Sequence, residues 1–169
     1  VLVISDSHGL TNELIRIKEK HKDEVNLLLH CGDSELPGND PALDGFIVVR
    51  GNCDFDEKFP EDSVQTVGDT NIMITHGHRY QVKSTLTSLS YRAQELDAKI
   101  VCFGHSHILG AEMLNGILFL NPGSIRLPRQ RKEKTYCIIE LIDDKIILNV
   151  YDINLGLLTE LNHEFIATS

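Results

Sequence analysis

Five short clusters concentrate Asp, Asn and His residues suited to binding a metal or moving a proton: Ser5-Asp6-Ser7-His8-Gly9, His30-Cys31-Gly32-Asp33, Arg50-Gly51-Asn52-Cys53-Asp54, Thr75-His76-Gly77-His78 and Gly104-His105-Ser106-His107. Their donors are carboxylate, amide and imidazole. Such a set, without paired thiolates, suits Mn, Ni, Co, Fe, Zn or Mg better than a structural zinc. Seven donors, Asp6, His8, Asp33, Asn52, His76, His105 and His107, are too many for one ion and match two ions that share a carboxylate. Two metals about 3.5 to 4 Å apart clamp the attacking and leaving oxygens of an in-line displacement, which is the arrangement of phosphoester hydrolysis. In an extended D-x-H or H-x-H, residues two apart point to the same side. One such triplet says little; five in succession say much more.

These clusters need elements to position them, and each follows an apolar run of strand length. Residues 1–5 read as a strand and 11–22 as an amphipathic helix carrying Leu14, Ile15 and Ile17. Strands are expected at 25–29 and 46–49, separated by a Pro- and Gly-rich loop with at most one helical turn. Hairpins are expected at 64–75, at 112–120 around Asn115-Gly116, and at 136–151 around Asp143-Asp144-Lys145. Between the first two, 84–97 reads as a helix and 100–103 as a buried strand. Parallel βα units mixed with antiparallel hairpins imply an α/β fold of two stacked mixed sheets with helices outside. Ligands in open α/β sheets bind beyond the carboxyl ends of the strands, so the five clusters should meet in one crevice.

The whole chain, 1–169, reads as a single domain without a linker or repeat. With 41% hydrophobic and 24% charged residues it has the composition of a globular domain with a core of its own. No apolar run approaches the roughly 20 residues of a membrane span, so no membrane partner is expected. A net charge of −9 argues against tracking a nucleic-acid backbone. Ten aromatic residues, none of them Trp, give little material for a base-stacking groove. The one basic cluster is Arg126, Arg129, Arg131, Lys132 and Lys134. Cys31, Cys53, Cys102 and Cys137 show no paired spacing and read as reduced thiols; with no leader before the first strand, and a start that lacks Met and reads as trimmed, the expected location is cytoplasmic. His30 is expected behind Asp33, Asp54 behind Asn52 or a ligand imidazole, and His21 and His163 at the surface.

The order D-x-H, G-D, G-N, H-G-H, G-H-x-H, followed by Asn121-Pro122-Gly123-Ser124, resembles the calcineurin-like metallophosphoesterase superfamily, in particular its small phosphodiesterases of the YfcE and YsnB type. The resemblance implies a four-layer α/β/β/α sandwich and a dinuclear site. Asp6, His8 and His107 would hold one ion, Asn52, His76 and His105 the other, and Asp33 would bridge them. Manganese is the first expectation for the metal. The implied reaction is attack of a metal-bridging hydroxide on a small phosphoester, with Asp33, Asn52 and His78 in catalytic positions. Two divalent ions, two carboxylates, a hydroxide and a diester sum to neutrality, which favours diesters unless Arg126 or Arg129 reaches the site. Larger members carry His where this chain has Cys53, which removes the usual proton donor to the leaving group and leaves His78 as the nearest spare imidazole, either a replacement donor or a substrate-side residue without proton-transfer duty. Relatives form dimers and larger assemblies, so a homo-oligomer fits. The contrasting implication is a protein-binding scaffold, the role a related fold takes in retromer with a degraded metal site.

Overall fold

The computed structural model describes residues 1–167. Strand β1 (Leu2–Ile4) leads into helix α1 (Asn12–His21), then β2 (Leu28–His30) and β3 (Phe46–Val48). A hairpin of β4 (Asp62–Val67) and β5 (Thr70–Thr75) precedes α2 (Thr87–Glu95) and β6 (Ile100–Cys102). Two further hairpins follow, β7 (Gly110–Leu114) with β8 (Ile117–Asn121) and β9 (Thr135–Ile142) with β10 (Lys145–Asp152), before the short β11 (Gly156–Leu157) and β12 (His163–Ile166).

The strands form two sheets. One runs β11-β10-β9-β1-β2-β3, with β12 also on β10; the other runs β4-β5-β6-β8-β7. Strands β1, β2 and β3 are parallel, as are β5, β6 and β8, so six carboxyl ends are available to carry ligands. Strand periodicity separates three apolar layers. Val1 and Val3 face Ile72, Ile74, Ile100, Cys102, Leu118 and Leu120 between the sheets. Leu2 and Ile4 point the other way, onto Leu14 and Ile17 of α1. Met73, Val101 and Phe119 pack under Leu89 and Ala93 of α2. The result is the expected α/β/β/α sandwich.

Most expected elements stand where the sequence placed them, and the departures have local causes. The second strand starts at Leu28 rather than at residue 25, because the chain leaves α1 through a turn in which Glu24 N–H bonds to the His21 carbonyl. Helix α2 starts at Thr87 rather than at 84: Ser84 and Thr85 bond back to the Gln81 carbonyl and Thr85 Oγ1 accepts from Thr87 N–H, the local side-chain bonding that makes Ser and Thr favour helix ends. Residues 41–43 form the single helical turn allowed in the long loop. Asn115 and Gly116 both have positive φ, 51° and 77°, as a type I′ turn demands. His21 corrects the surface expectation. It lies on the same face of α1 as Leu14 and Ile17 and is 1% exposed, with Nε2 2.8 Å from the Tyr136 hydroxyl. His163 is exposed against Phe165.

His30 is fully buried beneath the crevice, with Nε2 2.8 Å from Ser7 Oγ and Nδ1 accepting from Gly32 N–H. Burial pulls its pKa down to about 4, against the opposing fields of Asp54, Asp6 and Asp33. The depressed folded value fixes the sign of the pH effect. Above pH 6.5 the ring is neutral in both folded and unfolded chains; between about 6.5 and 4 the unfolded chain takes a proton that the native one refuses, and stability falls. The expected loss from this group alone is about 3 kcal/mol. Denaturant unfolding of His30→Gln without metal should show a shallower fall over that pH range than the parent; identical pH profiles would refute the assignment.

Candidate metal centre

The five clusters meet at the carboxyl ends of five of the six parallel strands. β1 delivers Asp6 and His8, β2 Asp33, β3 Asn52 and Cys53, β5 His76 and His78, and β6 His105 and His107. Asp6, His8, Asp33, His105 and His107 all have positive φ, between 42° and 71°. Non-glycine residues seldom adopt this conformation, and when several do so together they mark a site whose surroundings hold the backbone in place. Two glycines let the strand ends close in. A Cβ at Gly51 would overlap the Asp33 carboxylate, and one at Gly104 would overlap Ser5 Oγ and Asp6 Oδ2.

Polar side chains around the crevice brace these loops. The Asp54 carboxylate accepts from the N–H groups of Asp33 (2.8 Å), Glu35 (2.8 Å) and Gly51 (2.7 Å), tying the ends of β2 and β3 together. It therefore acts on backbone rather than on an imidazole or Asn52, which corrects the sequence expectation. Ser124 Oγ donates to the Asp6 carbonyl at 2.7 Å. Asn121 Nδ2 donates to the Gly104 carbonyl (3.0 Å) and to Ser106 Oγ (2.9 Å). The Asn-Pro-Gly-Ser segment thus fixes the two ligand-bearing loops without pointing a donor into the site.

Two sets of donor atoms lie at the centre of the crevice, and a third grouping, His8, Glu35 and Cys53, stands at its more exposed rim. Asp6, His8 and His107 form one central set, and Asp6, Asp33 and His76 the other, with all ligand atoms in each set within 4.8 Å of one another. Asp6 Oδ1 lies 3.2 Å from His107 Nε2, 3.7 Å from His8 Nε2 and 3.9 Å from His76 Nε2. Asp33 Oδ2 lies 3.2 Å from His76 Nε2, and Asn52 Oδ1 is 3.0 Å from the same nitrogen. His105 is one ring further out, its centroid 5.1 Å from that of His76, and its N–H donates to Asp6 Oδ2. His78 lies beyond, 5.4 Å from His76 and 6.1 Å from His105 between ring centroids, and its Nδ1 is buried without a hydrogen-bond partner.

Ring-nitrogen bookkeeping tests whether this constellation fits a cation. His76 Nδ1 lies 2.8 Å from the Cys31 carbonyl and His107 Nδ1 2.8 Å from the Leu127 carbonyl. A carbonyl only accepts, so both Nδ1 atoms carry a proton, and each ring in its neutral form turns the Nε2 lone pair inward. His8 does the same, with Nδ1 2.5 Å from Glu35 Oε1 and Nε2 3.2 Å from His107 Nε2. Three imidazole lone pairs therefore converge on Asp33 Oδ2, Asn52 Oδ1 and the buried Asp6 Oδ1, which has no hydrogen-bond partner. Acceptors gathered this way in a buried site call for a cation, and an oxygen acceptor behind each ligating ring is the usual support.

Electrostatics agree. Burial opposes ionisation of Asp6, but the neighbouring His107 and His76 rings outweigh it and hold the carboxyl below its ordinary range; in return Asp6 raises the pKa of His107, and Asp33 and Asp6 raise that of His76 against its burial, so that protons stand in for the cation while no ion is bound. Asp33 is likewise held well below the usual carboxylate range: burial is outweighed by His76, the Cys53 N–H on Oδ1 and the field of His8. His105 is pulled down to about 4 by burial and by His76, and His78 is lowered by the same two causes. The Cys53 thiol, exposed at the rim, is pushed up to about 11 by burial and by Asp33, so it stays protonated at neutral pH.

The crevice thus gathers the seven expected donors and His78, and adds Glu35, which sequence reasoning passed over. The only signal for Glu35 is its place in Gly32-Asp33-Ser34-Glu35, an acid two residues beyond a candidate ligand. His30 lies behind the site, as expected. Among the arginines, Arg126 is exposed at the mouth with Nη1 on the His8 carbonyl, and Arg129 is tied in only through its N–H to the His107 carbonyl.

Comparisons with known proteins give this geometry its context. Residues 1–144 match the model of the calcineurin-like phosphoesterase superfamily domain. The chain is 51% identical over 152 residues to "Probable metallophosphoesterase YsnB" of Bacillus subtilis, covering 90% of each. A crystal structure of a conserved Streptococcus pneumoniae protein described as a predicted phosphoesterase superposes with a TM-score of 0.93 at 36% identity, over 98% of this chain and 95% of that one. Vps29 of Entamoeba histolytica in complex with zinc shares the fold alone, at TM-score 0.77 and 21% identity over 99% and 98% of the two chains. With two mixed sheets, donors at their carboxyl ends and a family match over most of its length, the chain belongs to the calcineurin-like phosphoesterase superfamily.

Proposed function

We propose that residues 1–169 form a single metallophosphoesterase domain that hydrolyses a small phosphodiester in the cytoplasm with two divalent ions, manganese first among them. The observation that carries this reading is the convergence of Asp6 Oδ1, Asp33 Oδ2 and the bare Nε2 atoms of His8, His76 and His107. Asp6, His8 and His107 would hold one ion, and Asn52, His76 and His105 the other, with Asp33 between them. Bound ions would supply the nucleophilic hydroxide at neutral pH and neutralise the phosphate oxygens.

The remaining roles belong to the chain itself. The ionised Asp6 and Asp33 favour cation entry, and with two divalent ions and a hydroxide bound they balance the single charge of a diester. This supports diesters over monoester dianions. Arg126 at the mouth is engaged with the His8 carbonyl rather than offered to a substrate phosphate, so it leaves this balance unchanged. Cys53 stands where larger relatives place a proton donor, and its thiol is too weak an acid for that task. No acid is fixed at that position, and His78, 5.4 Å from His76 between ring centroids, is the nearest spare imidazole.

The test is a screen of apo-protein loaded in turn with Mn, Ni, Co, Zn and Mg against phosphomonoesters and phosphodiesters. Metal-dependent turnover with diesters preferred is the expected outcome. Monoester preference would overturn the substrate class. Metal binding without turnover on any ester would leave a scaffold role like the one first contrasted with it.

A further inference from the structure

The three imidazoles that turn Nε2 into the crevice differ in what stands behind them. His76 and His107 donate Nδ1–H to main-chain carbonyls, those of Cys31 and Leu127. His8 alone among them donates to a side chain, Glu35 Oε1 at 2.5 Å. Its opposite nitrogen faces Asp6 Oδ1 and His107 Nε2. Glu35 is itself held: its backbone has φ 53° and its N–H donates to Asp54 Oδ1 at 2.8 Å, the carboxylate that also grips Asp33 and Gly51. One brace therefore sets both Asp33 and the residue that orients His8.

Resting on the metal-centre reading, the geometry points to Glu35 as a positioning residue for one of the two ions. Its carboxylate fixes the His8 ring and the tautomer with the proton on Nδ1, leaving Nε2 free to ligate. A carboxylate behind a ligating imidazole is worth about 10- to 100-fold in metal affinity. The other imidazoles have no such removable support, so the effect should fall on the His8 ion only. Glu35 is 40% exposed at its side chain, so its replacement removes little packing.

Calorimetric titration of apo-protein with Mn²⁺ tests this directly. The parent should take up two ions, and Glu35→Ala should bind one of them about 10- to 100-fold more weakly with the other unchanged. Glu35→Gln, whose amide oxygen still accepts from Nδ1–H, should recover most of the loss. In a His8→Ala background, Glu35→Ala should have no further effect, since the ring it orients is gone. Parent-like binding by Glu35→Ala, a Gln variant as weak as the Ala variant, or an undiminished loss without His8 would each overturn the role of Glu35. A parent that binds no Mn²⁺ overturns the metal-centre reading and this inference together, whereas two ions in the parent with a silent Glu35→Ala overturns only the inference.

Discussion

Asp33→Ala is expected to abolish uptake of both ions and the turnover that depends on them, while His8→Ala loses mainly one. The Asp33 carboxylate lies 3.2 Å from His76 Nε2 in one donor set, and the proposed bridging role extends it to the other, so its removal should open both. Its loss also frees the Cys53 N–H that fixes the end of β3 beside Asn52. The activity loss should exceed the roughly 10²-fold at the upper end of what outer positioning contacts cost. Elemental analysis after dialysis against excess metal decides the matter. Asp6 is the carboxylate common to both donor sets as they stand, so Asp6→Ala provides the control: if it sheds two ions while Asp33→Ala sheds one, the shared carboxylate is Asp6.

Strand ends were the most legible part of this sequence because apolar runs such as Leu2–Ile4 and Ile100–Cys102 stop abruptly at Asp, His and Gly. The alternation of Val3 with Leu2 and Ile4, and of Met73 with Ile72 and Ile74, shows each sheet covered on both faces, in keeping with the four layers that the resemblance implied. Two kinds of feature escaped. The strands Gly156–Leu157 and His163–Ile166 are short edge pieces with exposed residues, so no burial pattern marks them. The supports of the site were also hidden. Asp54 acts through main-chain N–H groups, and Glu35 through a ring from another strand end 27 positions away, relations that depend on how the loops fold back rather than on spacing. His21 misled for a similar reason: its helical register places it beneath Tyr136 and Tyr151, residues more than a hundred positions later.

The second large effect concerns the leaving group. With the Cys53 thiol pushed up to about 11 and no acid fixed at that position, the leaving oxygen departs with little protonation. Rates should therefore fall steeply as leaving-group pKa rises, and aryl diesters should turn over far better than alkyl ones. Cys53→His returns an imidazole to the rim beside Asn52 and should flatten the dependence, raising the poorest substrates by up to roughly 10²-fold. A shallow dependence in the parent would show that a donor is already in place. His78, the nearest spare imidazole, is then the first candidate, and His78→Ala should steepen the plot with both ions still bound.

The central claim is that two ions held by the crevice make this chain a phosphodiesterase. Its most direct test is the rate of hydrolysis of an activated aryl phosphodiester as Mn²⁺ is added stepwise to apo-protein at a concentration well above the binding constants. The account predicts no turnover without metal and a rate that climbs to a break at two equivalents per chain. A full rate at one equivalent, or two equivalents bound with no hydrolysis, would contradict it.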